Sequence, residues 1–501
     1  MHALAQADDS EPSKPTVRCR AHKFGGSSLA DAARIRHVAD LLLADDASTQ
    51  IAITSAMQGT TNALVALGEA ATSGSKWKPA LEALHQRHND TAHALLQRPA
   101  AAVARINTLC GELAELLQAS SLLRQPGRTA LERIHGMGEV LSTTLLHAHL
   151  VERGGDYALL DARDVLVVRH TDLGAVVDWE QSAAKLAEWR TQHPQARVNI
   201  TGFVARDEHG LPTTLGRNGS DYSAAIFASL FAADELHIWS DVDGVLSADP
   251  RLVPEAVPLT AMSYREACEL AYFGAKVIHP QTMTPAIARG LPILMRNTFR
   301  PEFAGTRIDA VGDRNPAGPV KGLTLGGDLA LVCLEGAGLI GVPGTAERVF
   351  AALHAAHISV VMISQGSSEH SICCVVHQRE ADAARDALQD AFTRELAGAQ
   401  VQGVTLQTGI SVLAAVGDGM AGTPGVAARM FDALARARVN IRAIAQGASE
   451  RNISVAIDSA DAARALRAVH AAFWLSPQTI ALAVIGPGKV GSALLDQLQT
   501  A

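Results

Sequence analysis

The sequence predicts a three-layer α/β/α fold with a largely parallel sheet for residues 17–312, followed by two smaller α+β units. Short β-like runs alternate with longer helical patterns in the first part of the chain, which is typical of a parallel sheet with helices on both faces. In the second part a block of sequence recurs 81 residues later, which indicates a duplicated unit. The chain has 501 residues, of which 48% are hydrophobic, so it can build more than one buried core.

The composition argues against several classes of partner. The net charge is -8, with 43 Lys and Arg against 51 Asp and Glu, so we expect neither nucleic acid nor a membrane as a partner. Residues 1–16 are polar and contain no apolar core, which predicts a disordered tail rather than a signal peptide. The six cysteines show no CxxC spacing, so we expect free thiols, no metal site and a cytoplasmic protein.

The first predicted strand, Thr16 to Phe24, ends in the motif KFGGSS. A helix is predicted to begin near Ser28, because Ser28 and Asp31 have the spacing of a capping box. The paired glycines Gly25 and Gly26 let backbone N–H groups approach an anion at the helix start, and Lys23 adds a positive charge. The motif suits a phosphate, although a plain strand-to-helix turn with a surface lysine has the same pattern.

Five further apolar runs are predicted to be buried strands, and they alternate with helical patterns. The strands are Ile51 to Ser55, Tyr157 to Leu160, Val198 to Gly202, Glu235 to Trp239 and Pro292 to Met295. The helices include Trp77 to Leu117 with breaks, Ala130 to Glu152, Asp178 to Trp189 and Asp221 to Phe231. Ligands of such sheets bind at the carboxyl ends of the strands, so those ends are where functional residues are expected.

Two of these places carry small, polar or acidic residues. Ser55 and Thr61 belong to the hydroxyl-rich turn SAMQGTTN, which follows the second strand. Glu139 lies in GMGEVLS, near the start of a helix. Glu139 is either a charge that favours the helix dipole or a carboxylate that faces a ligand.

The turn LGRNGSDYS precedes another predicted helix and contains Arg217, Ser220 and Asp221. The planar guanidinium of Arg217 suits a carboxylate, which it can bind through two hydrogen bonds. Asp221 is placed to orient a lysine, or else it is an ordinary acidic residue in the first turn of a helix.

Two stretches further along the chain carry charges in unusual settings. The acidic, hydroxyl-rich loop SDVDGVLSADPR follows the strand Glu235 to Trp239 directly and contains Ser240, Asp241, Asp249 and Arg251. Lys276 lies in the mostly apolar segment YFGAKVIHP. Buried lysines are uncommon without a partner, so Lys276 either meets an anionic phosphate or extends its ammonium to the surface.

Together, KFGGSS, SAMQGTTN, GMGEVLS, GRNGSDYS, WSDVDGVLSADPR and FGAKVIHP resemble the aspartokinase family, which has the amino-acid kinase fold. The resemblance covers about Val17 to Ile308. It implies transfer of the ATP γ-phosphoryl group, with Mg²⁺, to the β-carboxylate of L-aspartate to give 4-phospho-L-aspartate. In that family the reaction is the first step of lysine, threonine and methionine biosynthesis.

The resemblance also implies roles for individual residues. Lys23 and Lys276 would stabilise the transferring phosphoryl group, and Asp221 would organise the lysines. Arg217 would bind a carboxylate of aspartate and Glu139 its ammonium, with Ser55, Thr61 and Ser220 in the substrate pocket. The ATP-binding residues implied are Gly25, Gly26, Ser240, Asp241, Asp249 and Arg251. Leu246 departs from the family, which frequently has tyrosine there, and this affects the expected adenine contact.

The second part of the chain contains two similar units, predicted at residues 328–402 and 409–475. VPGTAERVFAAL at Val342 pairs with TPGVAARMFDAL at Thr423, and QGSSE at Gln365 pairs with QGASE at Gln446, each at an offset of 81 residues. Each unit resembles an ACT domain, a module that commonly binds amino acids at its interfaces, although two purely structural units would have the same pattern. We therefore expect homo-oligomers through these units.

At the duplicated module we expect an amino acid as effector, bound by Gln365 and Gln446. A glutamine side chain both donates and accepts hydrogen bonds, which suits a small polar ligand. Glu369 and Glu450 would suit lysine, so lysine stays open as an effector. The resemblance is to the threonine-sensitive bifunctional type of aspartokinase, which favours threonine.

The chain ends with IALAVIGPGKVGSALL, in which a G-x-G-x-x-G pattern follows a predicted strand and opens a helix. Residues 480–501 resemble the opening of the homoserine dehydrogenase part of the bifunctional enzymes. One such βα unit is too small to enclose a dinucleotide, so we expect no dehydrogenase activity from these residues. Two alternatives to an aspartate kinase are a kinase of another acidic amino acid and a catalytically silent amino-acid sensor.

Overall fold

The computed structural model describes residues 18–124, 127–171, 174–216, 218–273, 280–313, 318–366, 370–474, 488, 491–493 and 495. Several predictions fall outside these residues. They are the tail 1–16, the site residues Arg217 and Lys276, Glu369, and most of the G-x-G-x-x-G segment.

The first part of the chain contains twelve strands among the described residues. They are β1 (Cys19–Phe24), β2 (Thr49–Thr54), β3 (Tyr157–Leu160), β4 (Val167–Thr171), β5 (Gly174–Val177), β6 (Arg197–Thr201), β7 (Val204–Asp207), β8 (Pro212–Thr214), β9 (Glu235–Ser240), β10 (Ala261–Ser263), β11 (Ile293–Asn297) and β12 (Thr306–Asp309). Eight form one sheet in the order β10-β12-β11-β9-β1-β2-β6-β3, and β4, β5, β7 and β8 form a small second sheet. Within the described part of the large sheet only β11 and β12 pair antiparallel, which confirms the largely parallel sheet.

Helices cover both faces of the large sheet. They are α1 (Ala32–Ala44), α2 (Thr60–Ser73), α3 (Lys78–Leu95), α4 (Ala100–Leu123), α5 (Arg128–His135), α6 (Met137–Glu152), α7 (Ala162–Val165), α8 (Trp179–Gln192), α9 (Gly219–Leu230), α10 (Tyr264–Tyr272) and α11 (Pro280–Arg289). One apolar cluster joins α9, α10 and α11 to the sheet, and another joins α1 to α4 and α6 to its opposite face. These two cores confirm the three-layer α/β/α prediction.

The predicted start of the first helix is wrong. Ser28 lies in a short 3-10 helix, Gly26–Leu29, and its buried Oγ shares a hydrogen bond of 2.6 Å with Thr298 Oγ1. Helix α1 begins at Ala32 instead, where the Asp31 carboxylate accepts the Arg34 N–H at 3.0 Å. The spacing of Ser28 and Asp31 therefore does not mark a capping box, because burial directs the serine hydroxyl elsewhere.

The second part of the chain forms one antiparallel sheet of six strands in the order β14-β15-β13-β16-β18-β17. The strands are β13 (Gly322–Glu335), β14 (Val360–Gln365), β15 (Ser371–His377), β16 (Gly403–Val416), β17 (Ile441–Gln446) and β18 (Asn452–Asp458). The helices are α12 (Thr345–Ala355), α13 (Ala381–Ala391), α14 (Thr393–Ala397), α15 (Val426–Arg436) and α16 (Ala462–Trp474). From β13 to β15, each strand recurs with both its ends 81 residues later, as does helix α12, which is the offset read from the sequence.

The two units of this sheet share their long strands. The second half of β13 pairs with β15, whereas Gly322–Gly326 at its start pairs with Val412–Val416 of β16. The same half of β16 pairs with β18 of the second unit. The second unit is therefore completed by the strand segment Gly322–Gly326, which precedes the rest of the first unit in the chain.

The sheet also curls until its edge strands meet. Ser364 Oγ on β14 donates a hydrogen bond of 3.0 Å to the Ile444 carbonyl on β17. Residues such as Leu329, Met362 and Ala443 pack together on the inner face of this curl, and α12, α13, α15 and α16 cover the outer face.

The expectation of free thiols is wrong for one pair of cysteines. Cys333 on β13 lies directly opposite Cys373 on β15, and the structure joins them in a disulfide. The other four cysteines, Cys19, Cys110, Cys268 and Cys374, carry free thiols. The strand register was not available from the sequence, and it is the register that brings this pair together.

The structure also bears on the membrane prediction. Among the helices that the structure describes, none combines the length and the apolar character needed to cross a bilayer. The cytoplasmic location stays a prediction.

Candidate active site

A cavity of about 370 Å³ opens at the carboxyl ends of the parallel strands β1, β2 and β6. Its lining brings together six residues singled out from the sequence and four that were not. The six are Lys23, Ser55, Thr61, Glu139, Ser220 and Asp221, and the four are Phe203, Gly216, Asn218 and Gly219. Side chains that are far apart in the chain therefore face one space, as expected at this edge of a parallel sheet.

The cavity contains an ion pair between Lys23 and Asp221. Lys23 Nζ lies 2.7 Å from Asp221 Oδ1, and both side chains are largely buried. Lys23 comes from the end of β1, and Asp221 comes from the first turn of α9. Asp221 thus keeps the Lys23 ammonium at a fixed place, and the α9 N-terminus beside it favours anions.

The glycines after β1 allow three loops to meet beside this lysine. A Cβ atom on Gly26 would lie 3.0 Å from the Ala56 carbonyl oxygen in the loop after β2. The Gly25 N–H donates to the Trp239 carbonyl near the end of β9, at 3.4 Å. A side chain at Gly26 would therefore crowd the Ala56 carbonyl, which favours glycine at this close backbone contact.

Glu139 is a buried carboxyl group in the first turn of α6, with an exposed fraction of 3%. Gly138 brings this turn close, because a Cβ atom there would lie 2.8 Å from Ala56 Cβ. Burial raises the pKa of Glu139 to about 8, although hydrogen bonds from the Ala56 N–H and Ser220 and the charge of Lys23 oppose the rise. Glu139 Oε2 has no hydrogen-bond partner among the described residues. An ammonium group at this place would both pair with the carboxylate and lower its pKa.

Ser55 presents a second buried polar atom without a partner. Its Oγ makes no hydrogen bond with the described residues, whereas its carbonyl accepts the Ser142 hydroxyl at 2.6 Å. Buried hydroxyl groups are normally paired, so Ser55 Oγ and Glu139 Oε2 are both placed to bind a polar ligand.

The residues assigned to the nucleotide do not line this cavity. Ser240 is the last residue of β9, and it is followed by a loop that we call the β9 loop, residues 241–260. Asp241 is exposed at the start of the loop. Asp249 and Arg251 form an ion pair with each other at 2.6 Å. The cavity lining includes none of these four described residues.

Sequence reasoning missed Phe203 and Asn218. Both have positive φ angles, 66° and 55°, which are uncommon outside glycine. The Phe203 N–H donates to Ser223 Oγ at 2.8 Å, and this hydrogen bond helps to hold the unusual backbone. The position of Phe203 directly after a predicted strand was the signal that could have revealed it. Arg217 lies outside the described residues, but its neighbours Gly216 and Asn218 line the cavity.

The two predicted effector residues lie far from the cavity in the chain but in equivalent places. Gln365 ends β14 and Gln446 ends β17, and both side chains are exposed. These are the edge strands that meet through Ser364 and Ile444. Glu450 is already engaged, because its carboxylate accepts the Gly422 N–H at 2.7 Å.

Comparison with known proteins agrees with this division of the chain. Residues 18–297 match the amino acid kinase family, and residues 332–392 and 413–473 each match an ACT domain. The chain is 43% identical over 487 residues to the chloroplastic bifunctional aspartokinase/homoserine dehydrogenase 1 of Arabidopsis thaliana, covering 95% of this chain and 53% of that protein. It therefore spans about half the length of such bifunctional relatives. It is 30% identical over 465 residues to the chloroplastic aspartokinase 1 of Arabidopsis thaliana, covering 91% of this chain and 80% of that protein.

Solved structures show the same architecture. Escherichia coli aspartokinase III in complex with aspartate and ADP, in the R-state, superposes with a TM-score of 0.76 at 28% identity, covering 91% of this chain and 99% of that one. The same enzyme in complex with lysine and aspartate, in the T-state, gives a TM-score of 0.72 at 28% identity, covering 91% of this chain and 100% of that one. The family match, the relatives and the fold agree, and the chain belongs to the amino acid kinase family and, within it, to the aspartokinases.

Proposed function

We propose that this chain is an aspartate kinase that transfers the ATP γ-phosphoryl group to the β-carboxylate of L-aspartate. The observation that carries the proposal is the joint placement of the Lys23–Asp221 ion pair and the buried Glu139 in one cavity. The first suits a phosphoryl group and the second suits the ammonium of an amino acid. The similar E. coli structure holds aspartate and ADP, which are a substrate and a product of this reaction.

In this proposal the protein works mainly by positioning and by charge. A β-carboxylate oxygen of aspartate attacks the γ-phosphorus, a new P–O bond forms, the bond to the bridging oxygen breaks and ADP leaves with that electron pair. The β-carboxylate is ionised at neutral pH, so the attack needs no general base. Lys23 stabilises the negative charge on the transferring group, and Asp221 keeps the lysine ammonium in place. Lys276 would supply a second positive charge.

Mg²⁺ enters the proposal as part of the Mg-ATP substrate. Within the described ranges, no three His, Cys, Asp or Glu side chains are grouped so that they could hold a metal ion. Mg²⁺ at kinase sites is held largely by phosphate oxygens and water, with one or two carboxylates, and so needs no such group. Gly25, Gly26, Ser240, Asp241, Asp249 and Arg251 are proposed to bind the nucleotide.

Aspartate is proposed to bind with its ammonium at Glu139 and a carboxylate at Arg217. Glu139 Oε2 lacks a partner, and the Ser55 hydroxyl beside it is also unpaired, so a polar ligand would satisfy both groups. Ser220 contacts the Glu139 carboxylate, and Thr61 lines the same cavity. A substrate without a free ammonium would leave the Glu139 carboxyl group buried and unpaired, which argues against acylated amino acids.

Regulation is proposed to act through the two ACT units, with threonine as the favoured effector and lysine as the alternative. The support for an effector site is the equivalence of Gln365 and Gln446 at the ends of adjacent edge strands. Assembly into homo-oligomers through these units is part of the same proposal.

One assay tests the proposed reaction against its alternatives. Purified protein is incubated with Mg-ATP and each of a panel of amino acids, and any acyl phosphate is trapped with hydroxylamine. We expect hydroxamate with L-aspartate and none with N-acetyl-aspartate. Hydroxamate from glutamate alone would identify another acidic amino-acid kinase, and its absence with every amino acid would indicate a silent sensor.

A further inference from the structure

The β9 loop is attached to the second ACT unit through a buried side-chain contact. Ser247 Oγ and His470 Nε2 share a hydrogen bond of 2.9 Å, although the two residues are 223 positions apart. The exposed fractions are 0% for Ser247 and 2% for His470. A polar contact this well buried is costly to break, because each group would lose its partner without gaining water.

Ser247 connects the two arms of its own loop as well as the ACT unit. Its Oγ accepts the Val257 N–H at 2.9 Å, and its own N–H donates to the Val257 carbonyl at 2.9 Å. Its carbonyl accepts the Leu323 N–H at 2.7 Å, and Leu323 belongs to the half-strand that completes the second unit. Ser247 is thus bonded to both a strand and a helix of the second ACT unit.

His470 is itself firmly placed on α16. Its ring stacks on Trp474, with ring centres 4.6 Å apart and planes inclined by 4°. Around it, Ala248 and Val253 of the β9 loop belong to the same apolar cluster as Leu466 and Val469 of α16. Arg467 adds a hydrogen bond of 2.7 Å from its Nε to the Leu252 carbonyl. The loop therefore shares a core with the second unit.

Among the residues that the structure describes, the first ACT unit has no such contact at the matching place. By the offset of 81 residues, His470 corresponds to Gln389 on α13, and the Gln389 side chain is exposed. The repeat thus preserves the fold of the two units but gives the histidine contact to the second unit alone.

We infer that His470 is a positioning residue for nucleotide binding. It acts indirectly, because it holds the β9 loop in place through Ser247. This inference rests on the proposed function, in which Ser240, Asp241, Asp249 and Arg251 bind ATP, because these residues flank Ser247 in the chain. His470 touches no substrate in this inference. Its loss loosens the loop and so weakens nucleotide binding, while aspartate binding at Glu139 is left as it was.

The test compares His470→Leu and His470→Gln with wild type and with the matched control Gln389→Leu. The KM values for ATP and aspartate, kcat, the Kd for Mg-ADP from calorimetry and the thermal midpoint are measured for each protein. We expect His470→Leu to raise the ATP KM and the Mg-ADP Kd about three- to tenfold, the effect of one lost buried hydrogen bond. The aspartate KM should change less than twofold. The amide of His470→Gln should restore most of the nucleotide affinity, and Gln389→Leu should have no effect.

Ser247→Ala completes the design as a double-mutant cycle with His470→Leu. If the two residues act through one hydrogen bond, the double variant should bind Mg-ADP about as weakly as either single variant. Equal changes in both KM values, in step with a lower thermal midpoint, would show a purely structural contact and overturn the inference. Wild-type protein that binds Mg-ADP but forms no hydroxamate would refute the proposed reaction alone, and the Kd comparison would still decide the role of His470. Wild-type protein that does not bind Mg-ADP would refute both.

Discussion

Lys23 Nζ lies 2.7 Å from Asp221 Oδ1, which joins the end of a central strand to the first turn of a helix at the candidate active site. This pair gives the lysine a defined position before any phosphate arrives. Lys23→Ala should therefore lower kcat by about 10²- to 10³-fold, because the charge is needed mainly in the transition state. Asp221→Asn should lower kcat less, since the lysine keeps its charge but loses its fixed position.

Steady-state hydroxamate assays would measure both effects, with Lys76→Ala, an exposed lysine between α2 and α3, as the control. Circular dichroism should show that both variants remain folded. Turnover close to wild type in Lys23→Ala would contradict the proposed role.

Arg217→Ala should raise the KM for aspartate far more than the KM for ATP. The reason is that Arg217 is proposed to bind a substrate carboxylate through two charge-assisted hydrogen bonds, which alanine cannot replace. The two KM values are measured with the other substrate saturating. Equal increases in both would show that Arg217 has another role, and Arg217→Lys should recover only part of the loss because an ammonium lacks the planar geometry.

The pKa of Glu139, raised to about 8 by burial, predicts a pH dependence of aspartate binding. Below this pH the free protein holds Glu139 mostly protonated, whereas the substrate ammonium requires the ionised carboxylate. The KM for aspartate should therefore fall as pH rises from about 6 to about 9, with the ATP KM changing much less. An aspartate KM that is flat over this range would exclude Glu139 as the ammonium partner.

Ionised Glu139 should also lower the free energy of unfolding, and the variant Glu139→Gln should show this effect. The folded pKa of about 8 lies above the ordinary value of 4.5, so the folded state binds the proton more tightly than the unfolded state. Stability from this group is present below pH 4.5 and is lost as pH rises to about 8. Denaturant unfolding should thus show Glu139→Gln and wild type alike near pH 4, and the variant more stable at pH 8 and above. Glu69→Gln, at an exposed position, should show no such divergence.

Gln365→Ala and Gln446→Ala should each weaken inhibition by threonine while leaving turnover without effector nearly unchanged. The side chains are exposed at the ends of β14 and β17 and are not part of the cavity lining. An effector can shift the kinase only by its difference in affinity for two states, so losing one contact reduces that difference. Inhibition curves for threonine, lysine and methionine measure the effect, with Gln389→Ala as the control. Inhibition by lysine and none by threonine would overturn the effector assignment.

The parallel sheet could be predicted from the sequence because its strands are buried on both faces. A run such as Ile51 to Ser55 begins with three successive apolar residues and shows no alternation of apolar and polar side chains, and such runs stand out from the helices between them. The small sheet of β4, β5, β7 and β8 escaped prediction because its strands are short and several of their residues are exposed. No periodicity marks a three-residue strand such as Pro212–Thr214.

Some residues of the candidate site could likewise be predicted from the sequence, and others could not. Lys23, Glu139 and Asp221 could be found because charged residues next to glycines at strand and helix ends are chemically unusual. Phe203 was missed because its residue type suggests no site: only its position after a predicted strand pointed to it, and its positive φ angle is visible only in the folded chain. The Cys333–Cys373 disulfide and the Ser247–His470 contact depend on strand register and on packing between distant segments, and neither leaves a local pattern in the sequence.

The long strands shared by the two ACT units affect the order in which the six-stranded sheet can form as the chain is synthesised. Gly322–Gly326 leaves the ribosome before any other part of the sheet, yet its partner strand, Val412–Val416 of β16, is made about ninety residues later. Until then the half-strand has an open edge, so the segment whose Leu323 N–H bonds to the Ser247 carbonyl is not yet held within the sheet. On the proposed function, a nascent chain released before β16 would carry the parallel sheet without this support for the β9 loop, and we expect it to bind Mg-ADP more weakly than the whole chain.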